Sequence, residues 1–267
     1  MQLKLTLGEI AFAVATVDSY ERAVGLIRTQ FDVERMEDAL LLIQASAQSL
    51  HARDLAVALT PAVELAPPVV EIGKVFAKSE WMVRCSKVMA DGTVPTLLVH
   101  CSPAGVVAHE VVTGHVHRVA PARDIAALLA QIDRFFELSH IDSSVPKQRL
   151  PRQVFDALVK DSEPHAIEAT LHTHGTPSML SHSLRSALAH DIAAPLWRAE
   201  VSWTHHPSGK APELGVAFYV YSGQRNWLFE ITSPDTIVIS EATRQHVADA
   251  AMRVIERVPI QERSFAH

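Results

Sequence analysis

Among the 15 histidines, the grouping with most chemical content is His109-Glu110 with His115 and His117. Two imidazoles at i, i+2 on a strand share one face, which is how a pair of nitrogen ligands converges on a cation. Zinc takes three or four ligands held by a supporting shell, and no clear third ligand accompanies that pair. The helical zinc pattern is also missing, since His109-Glu110 runs on into Val111, Val112, Thr113 and Gly114. Polar strand residues near a turn are the plainer reading. His172 and His174 bracket a loop, and His205-His206 sit beside Pro207 in a long turn, so solvated side chains are expected there. No Gly-x-Ser-x-Gly elbow occurs, and neither Cys85 nor Cys101 stands in a nucleophile motif. The two thiols fall on the first two strands of one meander and are expected to be buried, because a cross-strand disulfide suits ordinary sheet geometry poorly. Gly25, Gly73 and Gly105 are isolated, so no phosphate loop forms, and Gly92 and Gly209 read as hairpin residues. The residues predict no catalytic site, no metal and no cofactor.

The elements that carry these residues repeat. Residues 80–138 and 196–258 each begin with a Trp-led alternating strand (Trp81, Trp197), then pass a turn rich in Gly and Pro into a second strand. Short turns, Ser102-Pro103-Ala104-Gly105 and Ser222-Gly223-Gln224-Arg225, lead to third strands at Val106–Val112 and Asn226–Thr232. Fourth strands follow at His115–Val119 and Thr236–Ser240, then amphipathic helices at Arg123–Leu138 and Thr243–Val258. Glu110 and Glu230 occupy matching positions, which duplication explains without catalysis. Each unit is preceded by helical patterns. A stripe of Met36, Leu40, Ile43, Ala47 and Leu50 marks residues 33–58, and Val63–Phe76 is a second helix that Pro67-Pro68 must break or restart. Arg152–Lys160, Pro164–His172 and Pro177–His190 do the same in the second half, with Gly175-Thr176-Pro177 as a breaker. Ser143–Pro151 is the natural boundary, dividing the chain into 1–142 and 143–267.

Strand alternation sets the faces. Trp197, Ala199, Val201 and Trp203 oppose Arg198, Glu200 and Ser202. Leu214, Val216, Phe218 and Val220 are expected on one face, continued by Trp227, Phe229 and Ile231, with Tyr219 and Tyr221 on the other. One side then packs on helices while the other stays partly wet. Composition narrows the partners. The 267 residues are 48% apolar and 20% charged, with 24 basic against 30 acidic side chains for a net charge of −6. That balance argues against sequence-blind nucleic-acid binding and against anionic membrane surfaces. No window approaches the run of about 18 apolar residues that a membrane span needs. Met1-Gln2-Leu3-Lys4-Leu5 opens no secretory signal, so a cytoplasmic location is expected.

Two quasi-equivalent halves, each helices, then an antiparallel meander, then a C-terminal helix, resemble the EspG-type chaperones of type VII (ESX) secretion. The resemblance rests on Leu5-Thr6-Leu7-Gly8-Glu9-Ile10 entering a helix and on Ser49-Leu50-His51-Ala52-Arg53-Asp54-Leu55 at a helix end. Leu59-Thr60-Pro61-Ala62-Val63-Glu64-Leu65 and Leu150-Pro151-Arg152-Gln153-Val154-Phe155 add to it. It implies an α+β fold in which a central antiparallel sheet with a pseudo-twofold is flanked by helical bundles. It also implies a cytosolic chaperone or adaptor, not an enzyme, that shields the hydrophobic tip of a helical secreted substrate, PE–PPE-like or WXG-like. Such a tip would aggregate if left uncovered. The expected contact surface is the outer sheet face, with Arg198, Glu200, Ser202, Tyr219, Tyr221, Leu228 and Glu230. A ligand-binding or interaction module of the same fold is the alternative, followed by a metal-assisted enzyme using His109, His115 and His117.

Overall fold

The computed structural model describes residues 2–31, 35–58, 63–113, 116–138, 145, 147–161, 163–174, 181–207 and 210–257. His115, Gly209, Ser143 and the breaker Gly175-Thr176-Pro177 lie outside them. Strand β1 (Leu3–Thr6) runs straight into helix α1 (Leu7–Val17). Thr6 caps that helix: its Oγ1 accepts from the Glu9 amide at 3.1 Å while the Glu9 carboxylate accepts from the Thr6 amide at 2.7 Å, a capping box. Glu9 is buried and also receives Ser49 Oγ at 2.8 Å and Arg53 Nη1 at 2.9 Å. Helices α2 (Tyr20–Phe31) and α3 (Met36–Ala52) follow, then a small hairpin of β2 (Ala56–Ala58) and β3 (Val63–Leu65). Helix α4 (Pro67–Ala77) starts at the proline pair. Prolines suit the first helical turn, where no amide donor is needed, so Val63–Leu65 is free to be a strand. Helices α1 and α4 approach backbone to backbone at Gly73, where a Cβ would lie 2.8 Å from the Ala13 carbonyl oxygen.

The first meander is β4 (Trp81–Met89), β5 (Thr96–Ser102), β6 (Gly105–Thr113) and β7 (Val116–Pro121), closed by α5 (Ile125–Phe136). Strand β8 (Gln148–Pro151) and helices α6 (Arg152–Leu158), α7 (Pro164–His174) and α8 (His182–Ala193) open the second half. Its meander is β9 (Trp197–His205), β10 (Glu213–Ser222), β11 (Asn226–Ser233) and β12 (Thr236–Glu241), closed by α9 (Arg244–Ile255). The strands form one ten-stranded sheet in the order β1-β7-β6-β5-β4-β9-β10-β11-β12-β8, antiparallel throughout. That order reads alike from either end once the halves are matched. At the seam Trp81 pairs with His205, Cys85 with Val201 and Met89 with Trp197. The pseudo-twofold therefore passes at Cys85 and Val201 and carries Trp81 onto Trp197. The α+β fold of two quasi-equivalent halves is as the sequence predicts. The edge strands β1 and β8 are additions, and β8 falls inside the stretch read as the boundary.

One sheet face packs on α5 and α9 through Val83, Cys85, Val99, Val201, Phe218, Val220 and Leu228 against Leu128, Ile132, Phe136, Val247 and Val254. The other face is covered twice. Helices α1–α4 lie on Val107 and Val119 at one end, and α6–α8 lie on Tyr221, Trp227, Phe229, Ile237 and Ile239 at the other. Trp227 and Phe229 thus share the face of Tyr219 and Tyr221, their cross-strand partners. Sequence alternation placed them opposite because it expected one wet face, whereas both faces of β11 are buried. A second correction concerns β10, where the register slips between Val216 and Phe218. The extra residue, Ala217, is a bulge, and it returns Leu214 and Val216 to the face of Ser202 and Thr204. Cys85 pairs with Leu97, and Cys101 pairs with Trp81, so the two thiols do not face each other. Burial pushes both up to about 12. Neither should react with iodoacetamide at pH 8 in the native protein, while both should in 8 M urea (roughly full denaturation); labelling of the native chain at either site would contradict the packing.

Candidate functional site

Strands β4 and β9 are the stretch that neither helical bundle covers. Their side chains alternate between the buried α5–α9 face and a half-open face. On the open face the pairs across the seam are Met82–Thr204, Arg84–Ser202, Ser86–Glu200 and Val88–Arg198. Tyr219 continues the Glu200 row and Tyr221 the Arg198 row on β10. Helix α6 supplies Phe155, Asp156 and Val159 as a wall, enclosing a groove of about 520 Å³ together with Val94. Nine residues per strand at about 3.3 Å each make a trough of about 30 Å, floored by sheet and flanked by helices.

Several of the lining residues are held by their neighbours. Arg84 Nε donates to Ser86 Oγ at 2.8 Å. The Tyr219 ring lies 5.2 Å from that of Phe155. Burial, and then the Glu200 carboxylate, push the Tyr219 hydroxyl above its usual range, while Arg152 hydrogen-bonds to it. Burial also raises Tyr221, offset in part by a hydrogen bond from Arg198. Arg152 is itself fixed by Asp156 at 3.0 Å. Among the described residues, Arg84, Arg198 and Glu200 form no ion pair with one another or with any other group. The trough therefore offers an aromatic-lined wall and a floor of unspent charges and hydroxyls. That suits recognition of a partially apolar surface.

Five of the seven residues singled out from sequence share this face: Arg198, Glu200, Ser202, Tyr219 and Tyr221. Leu228 and Glu230 do not. Leu228 is 2% exposed and packs with the α5–α9 core, and Glu230 receives Arg253 of α9 at 2.5 and 2.8 Å. They pair with Val220 and Phe218, so they point to the opposite side. Sequence reading missed Arg84, Ser86 and Val88, which only the seam between the halves brings beside β9. The repeat offset that carries Trp81 to Trp197 also carries Arg84 to Glu200, and it is the signal that points to them.

The histidines converge differently from the expected set. His109 Nε2 lies 2.6 Å from His117 Nδ1, and His109 Nδ1 lies 3.3 Å from His100 Nε2. His115 is outside the described residues, and the third partner is His100 on β5. His109 engages both ring nitrogens, so the three imidazoles form a chain and do not point at a common centre. Among the described residues, no group of three or more His, Cys, Asp or Glu side chains is arranged to hold a metal ion. Phe76 of α4 covers the chain, its ring 4.2 Å from His100. Burial lowers His100 to about 4, and burial with the two neighbouring imidazoles lowers His109 to about 2. His100 and His109 are thus neutral in the native form.

A long antiparallel sheet with a pseudo-twofold, two helical bundles on one face and a trough between them define a two-half α+β scaffold. The chain matches, over residues 2–249, the family described as "Uncharacterised protein YfjC" and belongs to it. Its fold is similar to that of the type VII secretion system chaperone EspG5 of Mycobacterium tuberculosis, solved in complex with a PE25–PPE41 dimer. The TM-score is 0.65 at 12% identity, with 97% of each chain covered. No curated protein matches the chain. No helix among the described residues is long and apolar enough to cross a membrane.

Proposed function

We propose that this protein is a non-enzymatic, EspG-like cytoplasmic chaperone or adaptor whose trough covers an apolar segment of a helical client of the PE–PPE or WXG kind. The observation that carries the reading is the half-open face of β4 and β9, set between two bundles in a sheet that is otherwise covered. The fold likeness to EspG5 supports it. So does the matched strand order, with the chain read as halves 1–142 and 143–267. A trough floored by strands and walled by a helix is a shape in which an amphipathic helix loses its apolar face from water. Tyr219, half-buried beside Phe155, supplies rigid aromatic area, and Arg84, Arg198 and Glu200 supply selectivity. Tyr221 is 5% exposed and packs with Phe229, so it serves by holding Arg198 and is a poor choice for mutation.

The test is co-expression with helical proteins encoded beside it, followed by affinity capture. Wild type should carry a client in fixed stoichiometry, and the Tyr219→Ala/Arg84→Ala variant should weaken that complex by about 2–4 kcal/mol. Undiminished capture by a folded variant would remove the trough from the reading. If no client binds at all, the small-ligand module of the same fold becomes the better account.

A further inference from the structure

The pseudo-twofold gives the trough a backbone that looks the same after half a turn, so shape alone would accept a helix in either direction. The side chains break that equivalence. The axis carries Ser86 onto Ser202, which match, but Arg84 onto Glu200, Met82 onto Arg198 and Val88 onto Thr204. Opposite charges therefore stand at equivalent positions, without an ion-pair partner among the described residues. Arg84 lies level with Ser202, and Glu200 lies level with Ser86. The two charges are thus offset by two residues along the strands, or about 7 Å. Residues at i and i+4 on a helix are offset by about 6 Å along its axis. A trough of about 30 Å accepts a helix of about 20 residues lying along the strands.

We infer that Arg84 and Glu200 fix the direction in which a client helix lies, by pairing with an acidic and a basic side chain one turn apart. The inference rests on the trough being the client site, as proposed above. A helix with its acid on the N-terminal side of its base sets the acid over Arg84 and the base over Glu200. Its N-terminus then lies at the Met82–Thr204 end. The reverse order turns the helix round.

The probe is a synthetic amphipathic helix of about 20 residues with a leucine stripe, Glu and Lys at i and i+4 beside it, and an N-terminal Cys. Val88→Cys and Thr204→Cys place a thiol at either end of the trough, at positions the axis relates, while the native thiols are buried. With oxidised glutathione as the oxidant, the peptide should form its disulfide with the Thr204→Cys protein in about fivefold or greater excess over Val88→Cys. A twin peptide with Lys before Glu should reverse that preference, with no change in the protein. So should Arg84→Glu/Glu200→Arg in each thiol background. Capture at both ends without preference, with binding intact, overturns the directional role and leaves the client site standing. No binding or capture of any peptide overturns the client site and this inference with it.

Discussion

Asp191→Ala is expected to lower the stability of the protein by about 3–5 kcal/mol, read as a shift in the urea midpoint at unchanged slope. Asp191 is 1% exposed and sits near the end of α8. One carboxylate oxygen accepts from the Gln224 amide at 2.8 Å. The other accepts from the Trp227 indole at 2.9 Å and from the Arg225 amide at 3.2 Å. Trp227 is fully buried, so its N–H has no water to turn to, and each buried donor left unpaired costs about 1–3 kcal/mol. The turn itself is moulded to the carboxylate: a Cβ on Gly223 would lie 2.1 Å from the Asp191 oxygen. Asp191→Asn keeps one acceptor and should cost about half as much. In a Trp227→Phe background the alanine change should cost less, since the indole donor is already gone. An alanine variant within about 1 kcal/mol of wild type would show that the network does not hold α8 to the β10–β11 turn.

Acid is expected to act on the other half. His100 titrates near 4 in the native chain against an ordinary 6.5, so the unfolded chain binds its proton first. Stability is then fully present above about pH 6.5 and falls as pH drops toward 4, by about 3 kcal/mol from this imidazole. His109, lowered further by burial and by His100 and His117, adds to the loss over the same window and continues it below about pH 4. A charged His100 ring would have the His109 imidazole and the Phe76 ring as its neighbours. Denaturant midpoints at pH 7 and pH 4.5 measure the effect. His100→Asn, which cannot take up the proton, should reduce the pH dependence and leave the part that His109 contributes. An unchanged midpoint in wild type between those pH values would contradict the buried chain.

The elements that sequence reading placed correctly are those with a local signature. The Trp-led strands, the Gly92 turn and the helices that close each meander depend on neighbours within a few residues. The proline pair, expected to break or restart a helix, is the start of α4, and the residues before it form β3 instead. What escaped depends on pairing across distance. Ala217 shifts Leu214 and Val216 between faces, and one extra residue in a strand leaves no mark on hydrophobic alternation. Leu228 and Glu230 were assigned to the wet face because the burial of Trp227 and Phe229 under α6–α8 was not foreseen. The His100–His109–His117 chain needs the register of three strands. The spacing of His115 and His117 suggested a different set. Arg84 reached the candidate site through the seam, a contact that no local pattern describes.

The seam also sets the order in which the chain must assemble. Within each meander, every hairpin joins strands separated by short turns, so those contacts close quickly and at small entropic cost. Strand β4 finds β9 only across more than a hundred residues of intervening chain, and contacts of such sequence separation slow folding. Until they meet, β4 and β9 are each an open sheet edge with a full row of unpaired amides and carbonyls. Each would pair as readily with the same strand of another copy. The danger is greatest during synthesis, when the first half has emerged and the second has not. The chain must therefore cross an interval in which its own central strand is a sticky surface.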